Sequence, residues 1–304
     1  MNRGSLMFGR NRFLGLALEE RRILAAVVQR THGEECALLR AATFVFPEGA
    51  SWHTAPAELG LQLGAWLREQ EMTGRAVIGL PARWLLSAKR QVPPVDEEAR
   101  VGLLRLAAEE AFSLPAERMV CDFCADLNEG GDGGTALIVG TTRERLRAVQ
   151  EAMASAGVKV SAVTSTGAVL ALASSAEADA ATALLCPDGV EVALVSDGTL
   201  HALGSAPLAA GEAVDKVVEL ALRSVLASAG RSVERIDICD SLGLGRRAIA
   251  QIAEAAGLQA PHPPSIPVAG LNEADIAAGV AAPPAALALT AACAGTLPFD
   301  LTRP

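Results

Sequence analysis

The sequence predicts an α/β protein in which one unit occurs twice, with a small α+β module inserted in the first copy. The unit is a three-strand meander followed by a helix and a strand. Three observations carry this. Short apolar runs joined by polar or Gly/Asp turns come in the same order in both halves. Apolar residues recur at helical spacing after each meander. Prolines mark the start of the inserted stretch. With 304 residues, 51% of them hydrophobic and 20% charged, the chain is too apolar to be disordered and long enough for two cores.

Residues 13–18 and 23–29 are apolar runs separated by Glu19-Glu20-Arg21-Arg22, a hairpin pattern, and 36–46 continue as a third strand. Leu59, Leu63, Trp66 and Leu67 give an amphipathic helix over 55–70, and 75–80 form a buried strand ending at Pro81. The inserted module is expected over about 83–161, with two helices and about four strands. Its first strand, 84–92, stops at Pro93-Pro94. Asp96 then caps a helix lined by Val101, Leu104 and Ala108. Strands over 120–127 and 135–140 flank a Gly/Asp-rich turn at 128–134. Thr142 caps a helix bearing Leu146, Val149 and Met153, which ends at Gly157. A strand over 158–163 and a helix over 166–174 follow.

The second half opens with strands over 182–186, 190–196 and 199–208, joined by Pro187-Asp188-Gly189 and Asp197-Gly198. A helix over 210–229, a strand over 235–239, a helix over 246–256 and a Pro-rich segment over 261–267 complete it. The uncharged stretch 276–299 is as long as a membrane span, which takes about 20 residues. It is Ala/Gly/Thr-rich and broken by Pro283-Pro284, so it reads as a loop and a short buried helix over 285–294. The division expected is 1–165 for the first half and 166–304 for the second half with its tail.

Composition excludes several functions. A net charge of -9 argues against nucleic-acid binding, and the absence of Tyr with only 3% aromatics argues against base stacking. Arg3, Arg10 and Arg12 read as a solvated arm. Charges at 19–22 interrupt any signal peptide. Cys121-x-x-Cys124 has redox or metal spacing, but its flanks read as a strand, and His32, His53, His201 and His262 are scattered, so core thiols in a reducing compartment are expected. Asp122 and Asp126 read as the solvated face of that strand, and Glu109-Glu110 and 143–147 as solvated helix faces. Ser241-Leu242-Gly243-Leu244-Gly245-Arg246-Arg247-Ala248 fits G-x-G-x-x-A between a strand and a helix, yet the acidic residue that a dinucleotide site needs about 20 positions later is missing. Gly243 and Gly245 alone speak for an oxidoreductase. No serine-nucleophile or phosphate-loop motif occurs.

The repeated order resembles the actin-like, ribonuclease H-like superfamily of sugar kinases, Hsp70 and actin. More narrowly it resembles the families of the type IV pilus assembly protein PilM and of the cytoplasmic domain of the type II secretion protein GspL. The matching passages are Arg75-Ala76-Val77-Ile78-Gly79-Leu80-Pro81, then Arg143-Glu144-Arg145-Leu146 through Gly157-Val158-Lys159-Val160, and Asp197-Gly198-Thr199-Leu200. The resemblance implies a phosphate site between two Asp/Gly hairpins. At the first, Gly15-Leu16-Ala17-Leu18-Glu19-Glu20 offers nothing to a metal. The second keeps Asp188 and Gly189, but Pro187 removes a donor and the turn is ordinary turn chemistry.

The expectation is therefore a cytoplasmic scaffold at the inner face of the bacterial inner membrane, with no cofactor and no metal. Its implied partners are an inner-membrane protein with a PilN-like tail, docking near the inserted subdomain, and a secretion ATPase; a homodimer is compatible. The alternative is an active ATP-binding ATPase or kinase using Gly15, Asp188, Gly189, Gly243 and Gly245 with ATP and Mg²⁺. The end of the chain, Phe299-Asp300-Leu301-Thr302-Arg303-Pro304, resembles the tails with which pilus partners begin. Phe299 and Leu301 are its expected partner-binding residues, and the natural protein is expected to run on into a transmembrane helix.

Overall fold

The structure, a computed structural model, describes residues 11–31, 35–127, 133–174, 180–230, 233, 235–258, 263–271, 279–293 and 297–302. Arg3, Arg10, His32 and His262 lie outside the described residues. The first meander is β1 (Arg12–Leu18), β2 (Arg22–Arg30) and β3 (Cys36–Val45). The helix α1 (Pro56–Glu69) starts with proline at its first turn, where the missing N–H costs nothing. β4 (Arg75–Leu80) then lies parallel to β1. With β8 (Lys159–Ser165) these strands form one sheet in the order β3-β2-β1-β4-β8.

The second half repeats the pattern. β9 (Ala180–Cys186), β10 (Gly189–Ser196) and β11 (Thr199–Pro207) form a meander, α5 (Val214–Ala229) follows, and β12 (Arg235–Asp240) pairs parallel to β9. The sheet order is β11-β10-β9-β12. Asp197 and Gly198 take positive φ, the geometry of a tight hairpin. The inner strands β1, β2, β4, β9, β10 and β12 are buried along most of their length between helices, which explains their near-continuous hydrophobic runs, whereas the edge strand β3 is half open to solvent.

The inserted unit is shorter than the sequence suggests. It comprises β5 (Leu86–Val92), α2 (Glu97–Phe112), β6 (Met119–Leu127) and β7 (Gly134–Thr142), a three-stranded sheet ordered β5-β7-β6 under one helix. Val92, Leu104, Ala108, Met119, Ala136 and Ile138 make its own core. The turn at 128–134 lies largely outside the described residues. α3 (Arg143–Ser155) and β8, expected within the insert, belong to the first half. The reason is close packing of α3 on α1. A Cβ at Gly60 would lie 2.1 Å from the Ala152 carbonyl oxygen, and one at Gly64 2.6 Å from that of Ala156. These glycines bring the two helices together, so Leu146, Val149 and Met153 bury with Leu59 and Leu63.

The division at residue 165 is likewise crossed by the chain. α4 (Thr166–Ser174) leads into the second half, α6 (Arg246–Ala255) follows β12, and α7 (Ala282–Ala292) then returns to lie on β1, β2 and β4. Gly15 is the contact that permits the return. A Cβ there would sit 1.9 Å from the Pro284 carbonyl oxygen and 2.8 Å from the Ala288 nitrogen. Backbone cannot yield to that overlap, so Gly15→Ala is expected to destabilise the fold by about 3 kcal/mol or more. A urea midpoint within error of the parent would contradict this packing. No helix among the described residues is long and apolar enough to cross a membrane.

Candidate functional site

The two hairpin tips that the resemblance singles out face each other across the junction of the halves. At the first, Glu19, Glu20 and Arg21 connect β1 to β2; at the second, Pro187 and Asp188 connect β9 to β10. The tips are tied to each other directly. The Glu20 backbone N–H donates to Asp188 Oδ2 at 3.0 Å. Arg83, just past β4, pairs with Glu20 and also with Asp188 at 3.3 Å. Arg22 pairs with Glu19 at 2.5 Å and donates to Ser241 Oγ at 2.8 Å, reaching the end of β12. The space left beside Arg83, Asp188 and Gly189 is about 10 Å³, room for roughly one water.

The glycine loop after β12 is closed in the same way. Gly243 and Gly245 take positive φ, as the turn requires. The Asp240 carboxylate accepts from the backbone N–H of Leu242 at 3.1 Å and from that of Gly245 at 3.0 Å. Gly15 does not belong to a phosphate turn. It lies inside β1 under α7, and the overlap with Pro284 explains why glycine stands there. The arrangement therefore does not fit a nucleotide with Mg²⁺. At the hairpin tips the Glu20 N–H donates to Asp188, which Arg83 also holds, and in the glycine loop the Leu242 and Gly245 N–H groups donate to Asp240. Among the described residues no group of His, Cys, Asp or Glu is placed to hold a metal.

Behind the hairpins lies a feature the sequence reading missed, a pair of buried carboxyls. Glu191 on β10 is 5% exposed and Glu19 is 4% exposed. Burial pushes Glu191 up to about 8; the backbone N–H groups of Ala82 and Gly167 pull it down, and Glu19 pushes it further up. Glu19 is also raised, chiefly by burial, against the opposing Arg22 ion pair. Among the described residues Glu191 Oε2 and Thr166 Oγ1 find no hydrogen-bond partner, and both residues line a second cavity of about 10 Å³ with Glu19 and Cys186. An acidic residue alternating with valines in an otherwise apolar strand was the available signal.

The second notable place is the tail. Phe299 and Leu301 are 2% and 1% exposed and lie in the first half's core. They fill a groove of this molecule between β8 and the inserted sheet. The Leu301 N–H donates to the Val163 carbonyl at 2.8 Å, and the Val163 N–H donates to Asp300 Oδ1 at 3.1 Å. The tail thus covers the edge of β8. From the other side, Asp122 Oδ2 accepts from the Asp300 N–H at 2.7 Å, and Cys124 Sγ donates to the Pro298 carbonyl at 2.6 Å. Asp122 is therefore a tail-holding residue, where the sequence suggested a solvated strand face. Arg303 and Pro304 lie outside the described residues.

Beside Leu301 and Thr302 the surface stays open. A cavity of about 170 Å³ is lined there by Arg143, Leu146, Arg147 and Gln150. A larger one of about 400 Å³ adjoins it through the same two arginines and reaches Pro56, Arg118 and Glu151. Together they form a groove along α3 at the border of the inserted subdomain. The inserted unit is in turn braced on the second half. Ser87 Oγ donates to the Leu203 carbonyl at 2.6 Å, and Lys89 Nζ donates to the Ala229 carbonyl at 2.8 Å, at the negative end of α5.

No protein-family model matches the sequence, and no curated protein matches it. Similarity is found with solved structures. A chain of the PilM–PilN type IV pilus biogenesis complex superposes with a TM-score of 0.73 at 17% identity, over 92% of this chain and 98% of that one. The cytoplasmic domain of EpsL, an inner-membrane component of the type II secretion system of Vibrio cholerae, gives 0.53 at 16% identity, over 75% and 82%. The ethanolamine utilization protein EutJ from Carboxydothermus hydrogenoformans gives 0.51 at 11% identity, over 93% and 90%.

Proposed function

The chain has the actin-like fold, and from that premise we propose that it is a non-catalytic scaffold of a type IV pilus or type II secretion platform. It stands at the cytoplasmic face of the inner membrane and binds the short tail of an inner-membrane partner. The observation that carries this reading is the direct tie between the hairpins. Glu20 N–H, Asp188 and Arg83 satisfy one another where phosphates would lie. A fold of this kind that turns over ATP must hold those groups ready for the nucleotide.

The pilus and secretion setting rests on the PilM–PilN complex and the EpsL domain, whose chains share this architecture. The groove along α3, with Arg143 and Arg147 on its wall and the inserted subdomain at its border, is the surface we assign to the partner's tail. The same reading gives a secretion ATPase as a second partner and allows a homodimer.

The test uses this chain and the cytoplasmic tail of a PilN-type partner, titrated by fluorescence anisotropy with and without ATP and Mg²⁺. Binding should occur without nucleotide and stay unchanged when it is added. Arg147→Glu, on the exposed groove wall, should weaken it at least tenfold, about 1.4 kcal/mol. Absence of binding, or binding only with ATP, would overturn the reading.

A further inference from the structure

Cys36 opens the edge strand β3 and Cys293 caps the last turn of α7. The two are 257 positions apart in sequence, yet their sulfurs lie 3.8 Å from each other. Both surroundings are firmly held. The Cys36 carbonyl accepts from the Ala269 N–H at 2.8 Å, the Leu38 N–H donates to the Ala269 carbonyl at 2.8 Å, and the Cys293 N–H donates to the Leu289 carbonyl at 2.9 Å. A disulfide needs about 2.05 Å between sulfurs, so the two side chains together must move by under about 2 Å. Cys121 and Cys124, three apart on β6, point to opposite faces of their sheet and have no such geometry.

We propose that Cys36 and Cys293 are a thiol–disulfide modification site which, when oxidised, staples the edge of the first sheet to the end of α7. A low-molecular-weight disulfide such as oxidised glutathione is the oxidant. Cys293 is half-buried, the more exposed residue of the two; Cys36 is 3% exposed, and burial pushes its thiol up to about 11. The Cys293 thiolate attacks one glutathione sulfur, the glutathione S–S bond breaks, and one glutathione thiolate leaves. The Cys36 sulfur then attacks the Cys293 sulfur, the Cys36–Cys293 bond forms, and the second glutathione leaves. Two protein thiols lose two electrons and two protons, and one glutathione disulfide is reduced to two thiols. The resolving step is slow because little Cys36 is thiolate near neutral pH.

The folded chain is incubated with oxidised glutathione, then denatured in the presence of alkylating reagent so that the buried Cys186 and Cys239 also react, digested without reduction and mapped by mass spectrometry. Two of the six thiols should escape alkylation, and one cross-linked species should join the Cys36 and Cys293 peptides. Dithiothreitol should restore all six. Oxidation should raise Tm by at least about 5 °C in the parent and leave Cys293→Ser unchanged. Cys36→Ser should also lose the cross-link; if that buried variant fails to fold, Cys293→Ser decides alone. Six alkylated thiols, a cross-link between other cysteines, or glutathione retained on Cys293 without a cross-link would each overturn the proposal.

Discussion

Phe299→Ala is expected to lower folding stability by about 3–5 kcal/mol, and Leu301→Ala by about 2–5 kcal/mol. Both side chains are sealed in the first half's core with β8 beside them, so truncation leaves a cavity lined by groups that cannot collapse fully. The backbone of the segment adds to the loss. The Leu301 N–H and the Asp300 carboxylate satisfy both polar groups of Val163, which lie on an open sheet edge. If the segment loosens, those groups return to water, and so does the Asp300 N–H that Asp122 now accepts. Urea denaturation of each variant measures the effect. A change under about 1 kcal/mol for either would mean that the tail is not a structural element of the first half.

The second large effect is a pH dependence centred on Glu191. Its carboxyl titrates near 8 in the fold, against 4.5 for the free side chain. Between those values the folded chain binds a proton that the unfolded chain does not, so stability falls as pH rises through this window. The decline attributable to Glu191 from pH 5 to pH 8 is on the order of 3–4 kcal/mol. Glu191→Gln cannot ionise and should lose that part of the slope. The comparison is between the two pH slopes, since Glu19, also raised, titrates in both proteins. Parallel curves for the parent and the Glu191→Gln variant across pH 5 to 8 would show that the carboxyl ionises in place without penalty.

The parts of this architecture that were legible are those written locally. Pro187-Asp188-Gly189 and Asp197-Gly198 are turns by their own backbone preferences, and the apolar runs beside them could only be strands. Asp96 and Thr142 were readable as helix caps because the capping hydrogen bond spans three residues. What was not legible depends on partners distant in sequence. α3 looks the same whether it covers the insert or α1, and Gly60 and Gly64, which decide it, sit in a helix where glycine signals little without its neighbour. Gly15 carried a hint, since glycine inside a strand marks a close backbone approach; that the approaching element begins some 270 residues later did not follow. The hairpin contacts were half visible. Leu16 and Ala17 announced the loss of metal-side polar groups, but the closing of Glu20 on Asp188 needs both halves in place. Asp122 was misplaced because its partner, the Asp300 N–H, lies 178 positions away.

The central claim is that the cleft between the hairpins is closed by the chain itself. Isothermal titration of the folded protein with ATP and Mg²⁺, near neutral pH and at physiological salt, tests it most directly. The account predicts no saturable heat up to millimolar nucleotide, a binding free energy weaker than about -4 kcal/mol. A dissociation constant of about 1–10 µM, near -7 to -8 kcal/mol, would contradict it, because that affinity requires the Glu20–Asp188–Arg83 contacts to open for phosphate.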